Sequence, residues 1–292
     1  MIRITFIIYF FLSIYSLNLT AVASEYQGDI YDAHAHLPKG VSATQLKKIY
    51  QEAGIKGAGI FVKPFEKFTL QKLKKEFGDN FLIFVDVHKR KKNSYKIEKK
   101  RVELLRGFFE IGLIAGLGEI YVDLSHAPFA PSGIKSDITA RNQAAYLKIA
   151  NKLSMPIHVH HESADKGFEN IVKKYSNIKF ILSHCGYLNP GQLAKLMKGN
   201  KNLFADLSLI TNRYFGPFEK RGVLITTSPS QAWIELLTKY SDRFMVGSDI
   251  GANLDRAKML PLVMQDYRIL LGNLPPDVAK KIASENYLRI FQ

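Results

Sequence analysis

Eight short apolar runs recur along the chain, at 29–36, 57–63, 80–88, 114–123, 155–161, 178–186, 202–209 and 243–249. They are rich in β-branched and aromatic residues, and most are too short for helices, so each is expected to be a strand. Between them lie longer stretches with apolar residues at helical spacing, at 42–54, 96–112, 139–153, 167–176 and 229–241, with a last one at 275–291. Strands that alternate with helices are expected to lie parallel, joined by helical crossovers. Eight such units predict an α/β fold, a closed (β/α)8 barrel of the TIM type, which typically takes roughly 250 residues. An open doubly wound sheet is the competing arrangement, but no GxGxxG turn follows the first strand.

The first 23 residues do not fit this alternation. Arg3, an apolar run from Ile4 to about Leu17 and small residues ending at Ala23 form the pattern of a secretory signal peptide. The run falls short of the about 20 residues that a spanning helix needs. The expected organisation is a leader, 1–23, and one barrel domain, 24–292, exported to a periplasm or secreted, with no transmembrane span after cleavage. The single cysteine, Cys185, excludes an internal disulfide, so stability must come from packing, for which an apolar fraction of 47% is ample.

The formal charge is +15, and removing Arg3 with the leader leaves +14. Much of the excess lies in HKRKKNSYKIEKKR, His88–Arg101. This run reads as a solvated loop and helix face, with attraction to anions as the functional alternative. Its aromatics are not interleaved for base stacking, so nucleic acid is a weak inference as a partner. A small-molecule substrate is the expected partner, and self-association into a homo-oligomer is left open.

Titratable residues collect at the C-terminal ends of the predicted strands, where barrels of this type build their active sites. The first strand ends in DAHAH with His34 and His36, the fourth carries Glu119, and the fifth ends in His158, His160 and His161. The sixth ends in His184 and the eighth in Asp249. Each alone has a structural explanation, as a core imidazole or a helix N-cap. Together they form an ordered set of imidazoles and carboxylates, the ligands that suit zinc, iron or manganese, with no thiolate placed to compete. Alternation puts Asp32 on the face of His34 and His36 but deeper, as a buried partner that orients them. Asp206 and Ser208 share a face of the seventh strand and could line the pocket. Lys63, His88, His126 and Arg213 are loop candidates for substrate contacts, each equally readable as a surface residue.

DAHAH, GEI, PIHVH, LSHCG, GSD and the closing ENYLRIF resemble, in this order, the amidohydrolase superfamily, in its amidohydrolase-related and TatD-type metal-dependent hydrolase branches. The resemblance covers 29–292. It implies metal binding by His34, His36 and Asp249, with His160 and His184 completing the set. In the TatD pattern Glu119 bridges two metals; in the mononuclear pattern His34, His36, His160 and Asp249 share one and His184 assists. GEI matches the first pattern, while GSDIG and the YVD after GEI lean to the second. His158 is then a deeper core group, and His161 points outward.

The implied cofactor is one or two divalent ions, zinc first, with manganese or iron as alternatives. The implied activity is hydrolysis by metal-activated water, with Asp249 taking the proton and His184 helping to polarise the electrophile. An amide, ester or lactone is the first choice of bond and a phosphoester the other. The alternatives are a metal-dependent decarboxylase with the same ligands, and a metal-binding envelope protein without catalysis.

Overall fold

The computed structural model describes residues 24–63, 65–91, 94–124, 138–139, 143–208, 227–251 and 253–292. The leader, His126 and Arg213 lie outside the described residues.

Ten strands occur among the described residues: β1 (Ile30–His36), β2 (Ile55–Val62), β3 (Phe81–Val85), β4 (His88–Lys91), β5 (Ser94–Ile97), β6 (Gly116–Asp123), β7 (Ile157–His161), β8 (Phe180–Leu182), β9 (Leu203–Asp206) and β10 (Phe244–Met245). Eight of them form one parallel sheet in the order β1-β2-β3-β6-β7-β8-β9-β10. The segment after β10 closes the circle onto β1. Ala33 N donates to Val246 O at 2.8 Å, Asp249 N to His34 O at 2.7 Å and His36 N to Ile250 O at 2.7 Å. The fold is an eight-stranded (β/α)8 barrel, as the alternation predicts.

Helices α1 (Ala43–Glu52), α2 (Lys67–Phe77), α3 (Lys99–Glu110), α4 (Ala144–Leu153), α5 (Lys166–Lys174) and α6 (Pro190–Gly199) cross between strands. Ser42 and Gln45 cap α1 reciprocally, and Asn189 and Gln192 do the same for α6, satisfying backbone donors the helix cannot. The apolar faces of these helices pack on the outside of the sheet through Leu46, Leu70, Leu105, Leu147, Phe168 and Leu193. A second, smaller core fills the barrel with Ala33, Phe61, Leu82, Phe84, Ile181, Phe204 and Met245, closed from below by Tyr287 and Ile290. Among the described residues no helix is long and apolar enough to cross a membrane.

Two features depart from the alternation. The run 88–101 enters α3 at Lys99 as expected, but what precedes it is not a loop. His88–Lys91 and Ser94–Ile97 pair as an antiparallel hairpin, with Lys89 opposite Lys96, before α3 begins. In β1, Asp32 pairs with Ala58 but Ala35 pairs with Ile60, so three steps of β1 match two of β2. This bulge reverses the side-chain parity within DAHAH.

Candidate metal centre

The bulge decides which side chains of DAHAH reach the site. Ala33 belongs to the barrel interior, and Asp32 therefore leaves on the helix side. There it accepts from Tyr50 Oη of α1 at 2.7 Å, Ser248 Oγ at 2.5 Å, Ser248 N at 2.9 Å and His34 N at 3.0 Å. Burial still pushes its carboxyl up to about 6. Asp32 touches no imidazole: it pins the backbone of His34 to the loop that carries Asp249. Beyond the bulge the rings of His34 and His36 turn inward, 5.5 Å apart between centroids, each edge-on to Phe61.

Two ligand trios form above the barrel core, His34–His36–Asp249 and Glu119–His160–His184. Asp249 Oδ1 lies 3.3 Å from His34 Nε2 and 3.1 Å from His36 Nε2. Glu119, on β6, stands between the trios. Its Oε1 lies 3.0 Å from His160 Nδ1, 3.4 Å from His184 Nε2 and 3.7 Å from His34 Nε2, and its Oε2 lies 3.5 Å from His36 Nε2. The Gly118–Glu119 peptide is cis. His36 and Asp249 form the open side, with side chains 26% and 12% exposed, while the others are buried.

The loops that present these groups adopt unusual backbone. β8 stops at Leu182, and His184, Cys185, Gly186 and Tyr187 follow at φ 55°, 52°, 62° and 51°. Asp249 has φ 49°. His184 and Asp249 thus sit on tight turns beyond their strands rather than at strand ends. Left-handed non-glycine residues are sparse and persist where surrounding contacts enforce them, often at functional sites.

Burial alone would raise the Glu119 and Asp249 carboxyls, but the imidazoles around each hold it well below the usual carboxylate range: His34 and His160 at Glu119, His34 and His36 at Asp249. Burial would conversely lower His160, yet Glu119 and Glu162 bring it up to about 9. His34 is raised well above its ordinary value against burial by Asp206 and Glu119. The cup therefore gathers carboxylate oxygens and imidazole nitrogens around one space. His34 Nε2 is buried and makes no hydrogen bond among the described residues. That orphaned nitrogen, facing two carboxylates, is the donor set a divalent cation fits, and His34, His36, Glu119, His160, His184 and Asp249 would hold it.

Other histidines divide by face. His158 lies below the cup among Phe61, Phe84 and Phe291, with neither ring nitrogen hydrogen-bonded among the described residues and Nδ1 3.8 Å from Asp206 Oδ2, and burial lowers its pKa. His161 turns to the helix side, against Phe168, where Nδ1 accepts from Ala164 N at 3.2 Å. His88 is no surface residue. It is buried at the base of the hairpin, with Nδ1 2.8 Å from Asp86 and Nε2 3.1 Å from Gln143. Lys63 is exposed one residue beyond β2. One group escapes the sequence reading, and another, Asp206, is expected there to line the pocket but not to pair with His34. Glu162 lies 3.4 Å from His160 Nε2, a position two-residue alternation from His160 could have flagged. Asp206 is buried 3.0 Å from His34 Nδ1, so this carboxylate, not Asp32, orients that ring. The pairing crosses the barrel from β9 to β1 and leaves no local signal.

A family profile described as TatD related DNase matches residues 31–292. A comparison with curated proteins finds no match. Among solved structures, a candidate 2-pyrone-4,6-dicarboxylic acid hydrolase from Pseudomonas putida superposes with a TM-score of 0.64 at 12% identity, over 90% of this chain and 97% of that one. A TatD homologue from Escherichia coli gives 0.59 at 14%, over 90% and 97%. An amidohydrolase from Burkholderia multivorans with bound zinc gives 0.58 at 12%, over 90% and 99%. At these identities the likeness establishes the shared barrel, and the profile, spanning nearly all the described chain, establishes kinship. The chain belongs to the TatD related DNase family and is a metal-dependent hydrolase of that type.

Proposed function

We propose that the chain is a phosphoester hydrolase whose two ligand trios would each hold a divalent ion, with Glu119 placed to serve both. The observation that carries this reading is the position of Glu119 between two ligand trios, one oxygen toward His36 and the other toward His160 and His184. Paired ions about 3.5–4 Å apart are a recurring solution for in-line displacement at phosphorus. The family's description as DNase and the formal charge of +15, which favours anionic substrates, support the same choice over an amide or lactone.

Bound cations supply Lewis-acid activation of water and of the substrate oxygen. The chain's own part is proton transfer and positioning. Asp249, ionised and on the open side, accepts the proton of the attacking water through Oδ1 and returns it to the leaving oxygen. His184, fixed on its turn, and Glu119 keep the reacting centre in register. Phe61 and the aromatic floor beneath exclude water from below.

The test is a substrate panel on protein reconstituted separately with zinc, manganese and magnesium, offering single-stranded DNA, bis-p-nitrophenyl phosphate, a p-nitrophenyl ester and a lactone. Metal-dependent cleavage of the phosphodiesters, abolished by chelation, is expected. Turnover confined to the ester or lactone would replace the phosphoester reading with carboxyl-ester hydrolysis. Export is inferred from the 1–23 pattern alone, and N-terminal sequencing of the protein from fractionated cells would reveal a start near Ser24 if it is correct.

A further inference from the structure

Beneath the cup lies a pair of buried polar residues that the ligand set does not include. Asp206, the last residue of β9, and Ser208 are completely buried. Asp206 Oδ2 faces His34 Nδ1 at 3.0 Å. Asp206 Oδ1 accepts from His184 N at 3.1 Å and from Ser208 N at 3.1 Å. The Ser208 hydroxyl makes a very short contact to the same Oδ1, and its oxygen lies 2.7 Å from His184 Nδ1. Cys185 Sγ donates to the Asp206 carbonyl at 3.3 Å, tying the His184 turn to β9.

The geometry points to Asp206 and Ser208 as one positioning pair that dictates which nitrogen of both His34 and His184 faces the cup. The argument is a count of donors and acceptors. An ionised carboxylate only accepts, so the neutral His34 ring must present Nδ1–H to Asp206, which leaves Nε2 as its lone-pair nitrogen. A hydroxyl has one hydrogen. Ser208 gives it to Asp206, so its oxygen must accept from His184 Nδ1–H, and the neutral His184 ring likewise turns a bare Nε2 toward Glu119. His34 belongs to one trio and His184 to the other. One buried carboxylate therefore sets the tautomer of a ring in each half of the centre, directly on one side and through Ser208 on the other. His34, His184 and Asp206 also lie close enough to form a metal-ligating trio of their own. Here, however, both Nδ1 atoms and both Asp206 oxygens are engaged in hydrogen bonds with the Ser208 hydroxyl wedged among them, so the group acts as a hub and not as a third cup.

The inference rests on the two-ion reading for its consequence, but the tautomers themselves do not need metal. The experiment pairs long-range 1H–15N spectra of histidine-labelled apo protein, at a pH where the imidazoles are neutral, with calorimetric zinc titrations of wild type, Ser208→Ala and Asp206→Asn, each checked for folding by circular dichroism. Expected are Nδ1–H tautomers for His34 and His184 in wild type. Ser208→Ala should release the His184 tautomer and weaken one of the two ions by about 10- to 100-fold while the other is unchanged. Asp206→Asn should weaken both; if it does not fold, Ser208→Ala decides. An Nε2–H tautomer at either ring in wild type, or unchanged affinity for both ions in Ser208→Ala, would overturn the pairing. A wild type with the expected tautomers that binds no ion would overturn the metal reading and leave the hub standing.

Discussion

Asp249 concentrates most of the proposed chemistry in one side chain. It lies at the open edge of the cup, its carboxyl held ionised by His34 and His36, on a backbone with φ 49° that few residues tolerate. Asp249→Asn keeps size and one ligating oxygen but loses the proton acceptor. Turnover is expected to fall about 10²- to 10⁴-fold, measured by steady-state kinetics on the metal-loaded variant. Full turnover would remove the base from Asp249. The six ligand candidates were legible in the sequence because their types and their spacing along successive strands are local properties. Asp206 and Ser208 were legible only as pocket-lining candidates; their partners, and those of Asp32, were not. Each acts through a hydrogen bond that spans the closed barrel, and nothing near Asp206 in sequence announces His34, which lies 172 positions away.

The bulge in β1 is the element on which the site depends. Strict alternation would place Asp32, His34 and His36 together, but the extra residue sends Asp32 toward Tyr50 and the two histidines inward. Strand positions and the parallel order follow from apolar runs, since those depend on burial alone. A bulge depends on how two backbones meet, and the hairpin at 88–97 likewise hides in a run that reads as charge rather than as pattern. The loop after β10 is fitted to the bulge just as closely. A Cβ on Gly247 would lie 3.0 Å from the Cβ of His34, 3.1 Å from that of Ser208 and 3.2 Å from that of Asp206. Gly247→Ala must therefore push the hub and the first ligand apart. We expect a destabilisation of about 1–3 kcal/mol by denaturant unfolding, together with weaker metal binding although no ligand is altered. Unchanged affinity in the titration would show that the cup tolerates such displacement.

Across the whole molecule the cup couples folding to protons and to metal. Without metal, His160 is raised to about 9 in the folded state, from an ordinary value near 6.5. Its contribution to stability is thus fully present below about 6.5 and is lost as the pH rises through about 9. His34 and His36 shift in the same direction. Cation binding needs these rings neutral, so it releases protons and gains strength across that same interval. Thermal unfolding should give an apo midpoint that falls between pH 6.5 and 9, and a metal-induced rise in the midpoint that is larger at pH 9 than at 6.5. The lowered carboxyls of Glu119, Asp206 and Asp249 act at the other end: their contribution stands above about pH 4 and disappears in acid.

The bridging role proposed for Glu119 ties these observations together, and counting ions tests it most directly. Elemental analysis of reconstituted, desalted wild type and Glu119→Gln should find two divalent ions per chain in wild type and no more than one in the variant, since the amide cannot serve both trios as a carboxylate does. A single ion in wild type, or two ions retained in Glu119→Gln, would contradict the bridged two-ion centre.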